Sequence, residues 1–284
     1  MLDEKKKKKI LSFIDKNEYD KLISYLDTFK TAHAGTPKTD IKRFTIKEIT
    51  KRITENKNSE KIFFNLGKKL CDRKEYVSHE IGISIIWRGY RHNKKETKEI
   101  LLQIADSENW EVREYAAGAF INVLKENPDL YKTILQWAKH KSENVRRAVV
   151  FSALAYSDKK DTSKLQNAFE ILEPLMSDVS VYVKKNLGPF ILGSHLANHH
   201  TEEVISQLKK WMKINNEQVK WNIAMTFNNS FGIRHPETAL LFLKELSQEK
   251  SKIVSRPVIS TLRHLNKRHK KLIQEFIKKE GIEI

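Results

Sequence analysis

The sequence predicts an all-α protein, a right-handed superhelical stack of antiparallel helix pairs of the HEAT-like kind. Three observations carry that expectation. Helix formers dominate the composition, while Gly (9) and Pro (6) are too scarce to punctuate many turns. Apolar residues recur at helical spacing, and no strand alternation persists. Most telling is a recurring phrase, a valine followed by a basic residue and a step into an apolar run. It reads Val112-Arg113-Glu114-Tyr115-Ala116, Val145-Arg146-Arg147-Ala148-Val149, Val183-Lys184-Lys185-Asn186-Leu187 and Val219-Lys220-Trp221-Asn222-Ile223, at intervals of 33, 38 and 36 residues. A fainter copy at Tyr76-Val77-Ser78-His79 lies 35 residues before the first. A period in this range marks stacked helix pairs, each burying its apolar face only against its neighbours.

The elements follow in order. Residues 1–31 read as helix, with Ile10, Phe13, Ile14, Leu22, Ile23, Leu26 and Phe29 on one face. Residues 34–40, Ala-Gly-Thr-Pro-Lys-Thr-Asp, form a loop that leads into a helix start. Residues 41–54 and 58–72 are two further amphipathic helices. Repeats occupy 73–265, with a first pair near 76–105, a helix over 110–124, and pairs near 128–156, 163–197, 201–229 and 236–265. The run through Asn109 and the run Ser142-Glu143-Asn144 supply helix caps. The basic segment Asn266 to Lys271 opens a last short helix within 266–284. The expected organisation is one solenoid domain over 1–284, with 1–72 as N-terminal capping helices.

Charge narrows the partner. Fifty-three basic residues against 36 acidic give a net +17, suited to a polyanion. Each phrase valine points into the stack. The two residues after it lie about 100° and 200° further round the helix, so both cannot be buried. Repetition therefore sets Arg113, Arg146, Arg147, Lys184, Lys185, Lys220 and Trp221 along one line, stepping about 10 Å per helix layer. Such a line suits a phosphate backbone. The same basic residues also suit ion pairs between neighbouring repeats. Trp110 and Glu114, four apart, share a helix face. An indole beside a carboxylate can hold a flat cation and stabilise developing positive charge. The bland alternative is a core tryptophan beside a surface acid.

Asn109-Trp110-Glu111-Val112-Arg113-Glu114, with Asn144-Val145-Arg146-Arg147-Ala148, resembles the bacterial DNA alkylation repair family of the AlkC/AlkD type. These are HEAT-like repeat glycosylases that excise cationic alkylpurines. Tyr25, and Gly35-Thr36-Pro37 before a basic helix, are similar to that family's N-terminal half. The resemblance covers roughly residues 15–265. It implies Trp110 and Glu114 as catalytic residues, and Tyr25, Arg146 and Arg147 as contacts to alkylated double-stranded DNA; the repeat register adds Arg113, Lys184, Lys185, Lys220 and Trp221 as expected contacts, and Phe190 joins them as a candidate ring. It implies no cofactor and no metal. Two departures stand out. Glu114 occupies a place where AlkD-type members carry Asp. Pro189 stands where they carry a second Trp; Phe190 beside it is the candidate ring, and a mid-helix proline implies a kink.

Other readings stay open: a non-catalytic protein that binds branched or distorted DNA, or a repeat scaffold for an acidic protein partner. His195, His199 and His200, near Glu202 and Glu203, read as solvated side chains at a helix end rather than metal ligands. Trp87, Trp137 and Trp211 read as core. The single cysteine, Cys71, excludes an internal disulfide and reads as buried and inert. No apolar run is long enough to span a membrane, and the charged N-terminus lacks the apolar stretch of a signal peptide. A monomeric, cytoplasmic, nucleoid-associated protein is expected.

Overall fold

The repeat phrase is also a capping unit. Five helices begin three residues before a buried valine, on Asn109, Ser142, Ser180, Asn216 and Ser251, each accepting backbone N–H groups of the first turn through its side chain. Each cap is worth about 1 kcal/mol. The valines it positions, Val112, Val145, Val183, Val219 and Val254, are all buried, as is Val77. Val254 is a further copy of the phrase, 35 residues after Val219, disguised in sequence because Ser255 takes the basic place.

The computed structural model describes residues 2–283, and among them every regular element is helical. The chain divides into two compact units, Met1–Leu130 and Tyr131–Ile284. The first holds α1 (Glu4–Asp15), α2 (Tyr19–Asp27), α3 (Thr39–Thr54), α4 (Ser59–Cys71), α5 (Tyr76–Ile86), α6 (Lys94–Ala105) and α7 (Trp110–Glu126). Its core gathers Ile10, Ile14, Leu22, Leu26, Ile49, Leu70, Val77 and Ile81. Within it α5 is the hub, packed against α3, α4 and α7.

Residues 1–31 are not one helix. Asn17 adopts φ 55°, and the chain breaks between α1 and α2. Asn17 N–H donates to Ile14 O at 3.0 Å and Glu18 N–H to Phe13 O at 2.9 Å. This paired closure satisfies the last carbonyls of α1, and asparagine tolerates the left-handed conformation it needs. The apolar periodicity survives the break, which is why the sequence alone reads as continuous.

The second unit holds α8 (Tyr131–Trp137), α9 (Glu143–Ser152), α10 (Leu165–Leu172), α11 (Val181–Asn186), α12 (Ala197–His199), α13 (Thr201–Met212), α14 (Glu217–Thr226), α15 (Ser230–Arg234), α16 (Pro236–Ser247), α17 (Lys252–Asn266) and α18 (Lys270–Glu280). Between α11 and α12 the chain runs as a wider π-helix over Leu187–Leu196. Pro189, where a kink is expected, lies within this π-helix, and its ring nitrogen has no N–H for the ordinary ladder. The carbonyl of Pro189 instead accepts from Ser194 Oγ at 3.0 Å and Asn229 Nδ2 at 2.9 Å. Gly188 lets the stretch approach α14; a Cβ there would stand 2.7 Å from Asn222 O.

Candidate functional site

In the first unit, the N-terminus of α7 is anchored through Asn109 and Trp110. Asn109 caps it and donates through Nδ2 to Ala34 O at 2.7 Å, which ties the 34–40 loop to the helix. Trp110 follows, 42% exposed, with its indole edge-on to His33 at 5.3 Å between centroids. Glu114, one turn on, is also exposed. Both line an open cleft of about 690 Å³ together with Arg43, Trp87, Arg88 and Asn122. The expectation that Trp110 and Glu114 share a face is met in geometry. A large aromatic so exposed at a concave surface is not serving as core.

Trp87 departs from its expected place in the core. It is half-buried and forms a wall of this cleft. Arg88 lies 4.1 Å from its ring centroid, donates to Ser84 O at 2.8 Å and has its pKa lowered by burial. Guanidinium remains charged under such a shift. The cleft thus combines two indoles, two guanidinium groups and two carboxylates, the exposed Glu114 and the partly buried Glu111. Trp87 lies ten residues past Val77, on the neighbouring helix-pair, and helical periodicity alone cannot distinguish a cleft wall from core at that position.

Beneath the same turn of α7 lies a buried charge network that sequence reasoning missed. Lys42 and Glu80 are both fully buried. Lys42 Nζ is 2.8 Å from Glu80 Oε1, 2.7 Å from Glu111 Oε1 and 2.9 Å from Thr36 Oγ1. Thr36 Oγ1 donates to Glu111 Oε2 at 2.6 Å, and the Lys42 ammonium lies 5.0 Å from the Tyr115 ring centroid. Burial raises the Glu80 carboxyl to about 7, against the opposing pull of Lys42 and with help from Glu111. Burial likewise raises the Tyr115 phenol. One ammonium balances two carboxylates, and Glu111 and Tyr115 also reach the cleft wall. The network therefore fixes the helix turn that displays Trp110 and Glu114. The sequence signal was a lysine on the apolar side of α3, in line with Ile41, Thr45 and Ile49.

Residues 12–191, which contain this whole cleft, match the sequence model of a family described as "DNA alkylation repair enzyme". The chain belongs to that family. No curated protein matches it. Among solved structures, a designed armadillo repeat protein is similar at 18% identity and TM-score 0.29, covering 78% of this chain and 100% of its own. An engineered protein is similar at 13% identity and TM-score 0.25, covering 86% and 98%.

The matched segment also takes in Tyr25, which packs half-buried between Phe13 and Phe29, at 5.8 and 4.9 Å between centroids. Arg113 donates to Ser107 O at 2.8 Å and Glu108 O at 2.9 Å, bracing the loop before α7. Arg146 repeats that brace on His140 O and Lys141 O.

In the second unit, the basic residue immediately after Val145, Val183 and Val219 ties one repeat to the next. Arg146 Nε pairs with Asp178 at 2.5 Å, Lys184 Nζ donates to Gln218 Oε1 at 2.7 Å, and Lys220 Nζ pairs with Glu249 at 2.5 Å. The Asp178 hydrogen bond raises the Arg146 pKa. Burial lowers that of Lys184, whose ammonium lies 4.8 Å from the Trp221 ring.

The next position along points elsewhere. Lys185 is exposed, while Arg147 is 4% exposed, stacked on Phe151 at 4.5 Å and Tyr182 at 5.0 Å. Phe190, 41% exposed, meets Phe151 at 5.8 Å and His195 at 4.6 Å, so Phe151 joins Phe190 to the Arg147 stack. His200 is buried rather than solvated, and among the described residues no cluster of three metal-binding side chains forms. Cys71 is buried, and burial pushes its thiol pKa up, as an inert thiol requires.

Proposed function

We propose that this member of the family is a DNA glycosylase that hydrolyses the N-glycosidic bond of cationic N3- or N7-alkylated purines in duplex DNA. The observation that carries the reading is the exposed Trp110–Glu114 pair in the cleft of the family-matched segment. An alkylated purine is already a cation, so the bonding pair of C1′–N leaves with the base and neutralises it. No protonation of the base is required. The sugar becomes oxocarbenium-like. Glu114 stabilises that positive charge and orients a water, whose oxygen bonds C1′ while its proton passes to Glu114 or solvent. Trp110 packs on the deoxyribose or the lesion nucleotide. Arg43 and Arg88 supply cations for flanking phosphates. Lys185 and Phe190, exposed in the second unit, serve as further DNA contacts. Arg113, Arg146, Lys184 and Lys220 act chiefly by bracing loops and repeats, and Arg147, Tyr25 and Trp221 by stacking.

No helix among the described residues is long and apolar enough to cross a membrane. The substrate is alkylated double-stranded DNA, and the reaction as drawn needs no cofactor. A second reading, a non-catalytic binder of distorted DNA, draws on the π-helix at Pro189, where AlkD-type relatives would place a ring.

The test is release of free 3-methyladenine and 7-methylguanine from methylated duplex DNA, measured by mass spectrometry. Glu114→Gln should slow release by about 10²–10³-fold, the usual effect of losing one preorganised electrostatic stabiliser, with binding retained. Unchanged release in that variant removes Glu114 from the role. No release by the wild type, with binding intact, favours the second reading.

A further inference from the structure

The last repeat carries a basic groove that the valine phrase did not reveal. Helix α17 begins on the cap Ser251 and buries Val254, as the other phrase helices do. Arg256 therefore stands two residues past the valine, the register position held by Glu114, Arg147, Lys185 and Trp221 in the other copies. Ser260, Arg263 and Lys267 continue from it at four, seven and eleven residues, one face of a helix. All four are exposed. They line a groove of about 530 Å³ with Asn228, Ile259 and His264, and no carboxylate is among its walls. Asn228 Nδ2 donates to Ser260 Oγ at 3.0 Å, orienting the two polar groups at its centre.

The contrast with the earlier copies is chemical. Arg146 and Lys220 are neutralised by Asp178 and Glu249. Arg256, Arg263 and Lys267 enter no ion pair among the described residues. Three like charges held on one face within a few turns repel one another. Without an internal counter-charge, such a cluster is relieved by a polyanion whose charges repeat at similar spacing.

We propose that this face of α17 binds the phosphodiester backbone of DNA, with Arg256, Arg263 and Lys267 on successive phosphates and Ser260 and Asn228 as neutral donors. The proposal rests on DNA being the partner but not on excision. It predicts sequence-independent binding, because phosphate contacts position without reading bases.

The experiment measures binding of the full-length protein to an unmodified duplex oligonucleotide by fluorescence anisotropy across a salt series. The double variant Arg263→Gln/Lys267→Gln is compared with Lys209→Gln/Lys213→Gln, an equal charge change on lysines at a different groove. Circular dichroism melts check that both fold. The α17 variant should weaken binding about tenfold or more and lower the slope of log K against log salt by about 2, near one for each phosphate no longer neutralised. The control should change little. Equal losses in both variants would mean a global charge effect and overturn the assignment; so would binding unchanged in the α17 variant, which would leave the groove to an acidic protein or to free phosphate. If the wild type releases no alkylated base but the α17 variant still loses binding, the groove stands and the glycosylase reading falls. Excision by the wild type with binding unaffected in the variant is the reverse.

Discussion

The two units use the same repeat phrase for opposite ends. In Met1–Leu130, the position two past the valine carries Glu114, open to a cleft with two indoles. In Tyr131–Ile284, the same position in the first copy carries Arg147, closed off between aromatic rings. The basic charges differ as well. The first unit buries a lysine completely and surrounds it with two carboxylates and a hydroxyl. The second uses Arg146 and Lys220 as partly buried ties to the following repeat. A shared backbone register therefore does not imply a shared side-chain task. Where a neighbouring helix supplies rings or an acid, the position is structural; where it supplies a concavity, the position is available to a ligand.

The largest effect should come from breaking the buried charge. Lys42→Met leaves Glu80 and Glu111 facing each other without a cation, and unfolding in urea should show a loss of about 3–5 kcal/mol. Arg146→Met, the counterpart tie in the second unit, strands the nearly buried Asp178 and should cost less, about 1.5–3 kcal/mol. Equal losses would erase the contrast between the units.

The pH dependence sharpens it further. Glu80 has its carboxyl raised from 4.5 to about 7 in the folded protein, so the native state holds a proton that the unfolded chain has released. This group's contribution therefore falls by about 1.4 kcal/mol per pH unit as pH rises through that window, and is level above it. Glu80→Gln should flatten that part of the profile. Wild-type and variant curves running parallel between those pH values would mean that Glu80 is ionised throughout.

Smallest is the cap. Asn109→Ala should cost about 1 kcal/mol of stability from the lost N-cap, and because Asn109 also holds the Ala34 carbonyl, it should lower excision more than Ser142→Ala does. Equal effects on excision would separate the 34–40 loop from the site. Trp110 provides the companion test: at 42% exposure, Trp110→Ala should leave the melting temperature within a few degrees while reducing excision.

Much of this molecule was determined by its sequence alone. Helix periodicity, the valine phrase and the Asn or Ser caps are local properties, set by groups three and four residues apart, so they survive without a structure. They placed the valines in the core, an irregularity at Pro189, and Trp110 and Glu114 on one face. The break at Asn17 escaped because a left-handed residue leaves the apolar pattern intact on both sides. Tertiary structure alone decided the rest. Lys42 meets Glu80 across 38 residues and Thr36 meets Glu111 across 75, and Trp87 becomes a cleft wall only when α5 and α7 pack together. The assignment of charges is decided in the same way. Arg146 and Arg256 both lie within two residues of a phrase valine, but Arg146 pairs with Asp178 while Arg256 enters no ion pair among the described residues, and a charge's partner is a property of distance in space rather than of spacing in sequence.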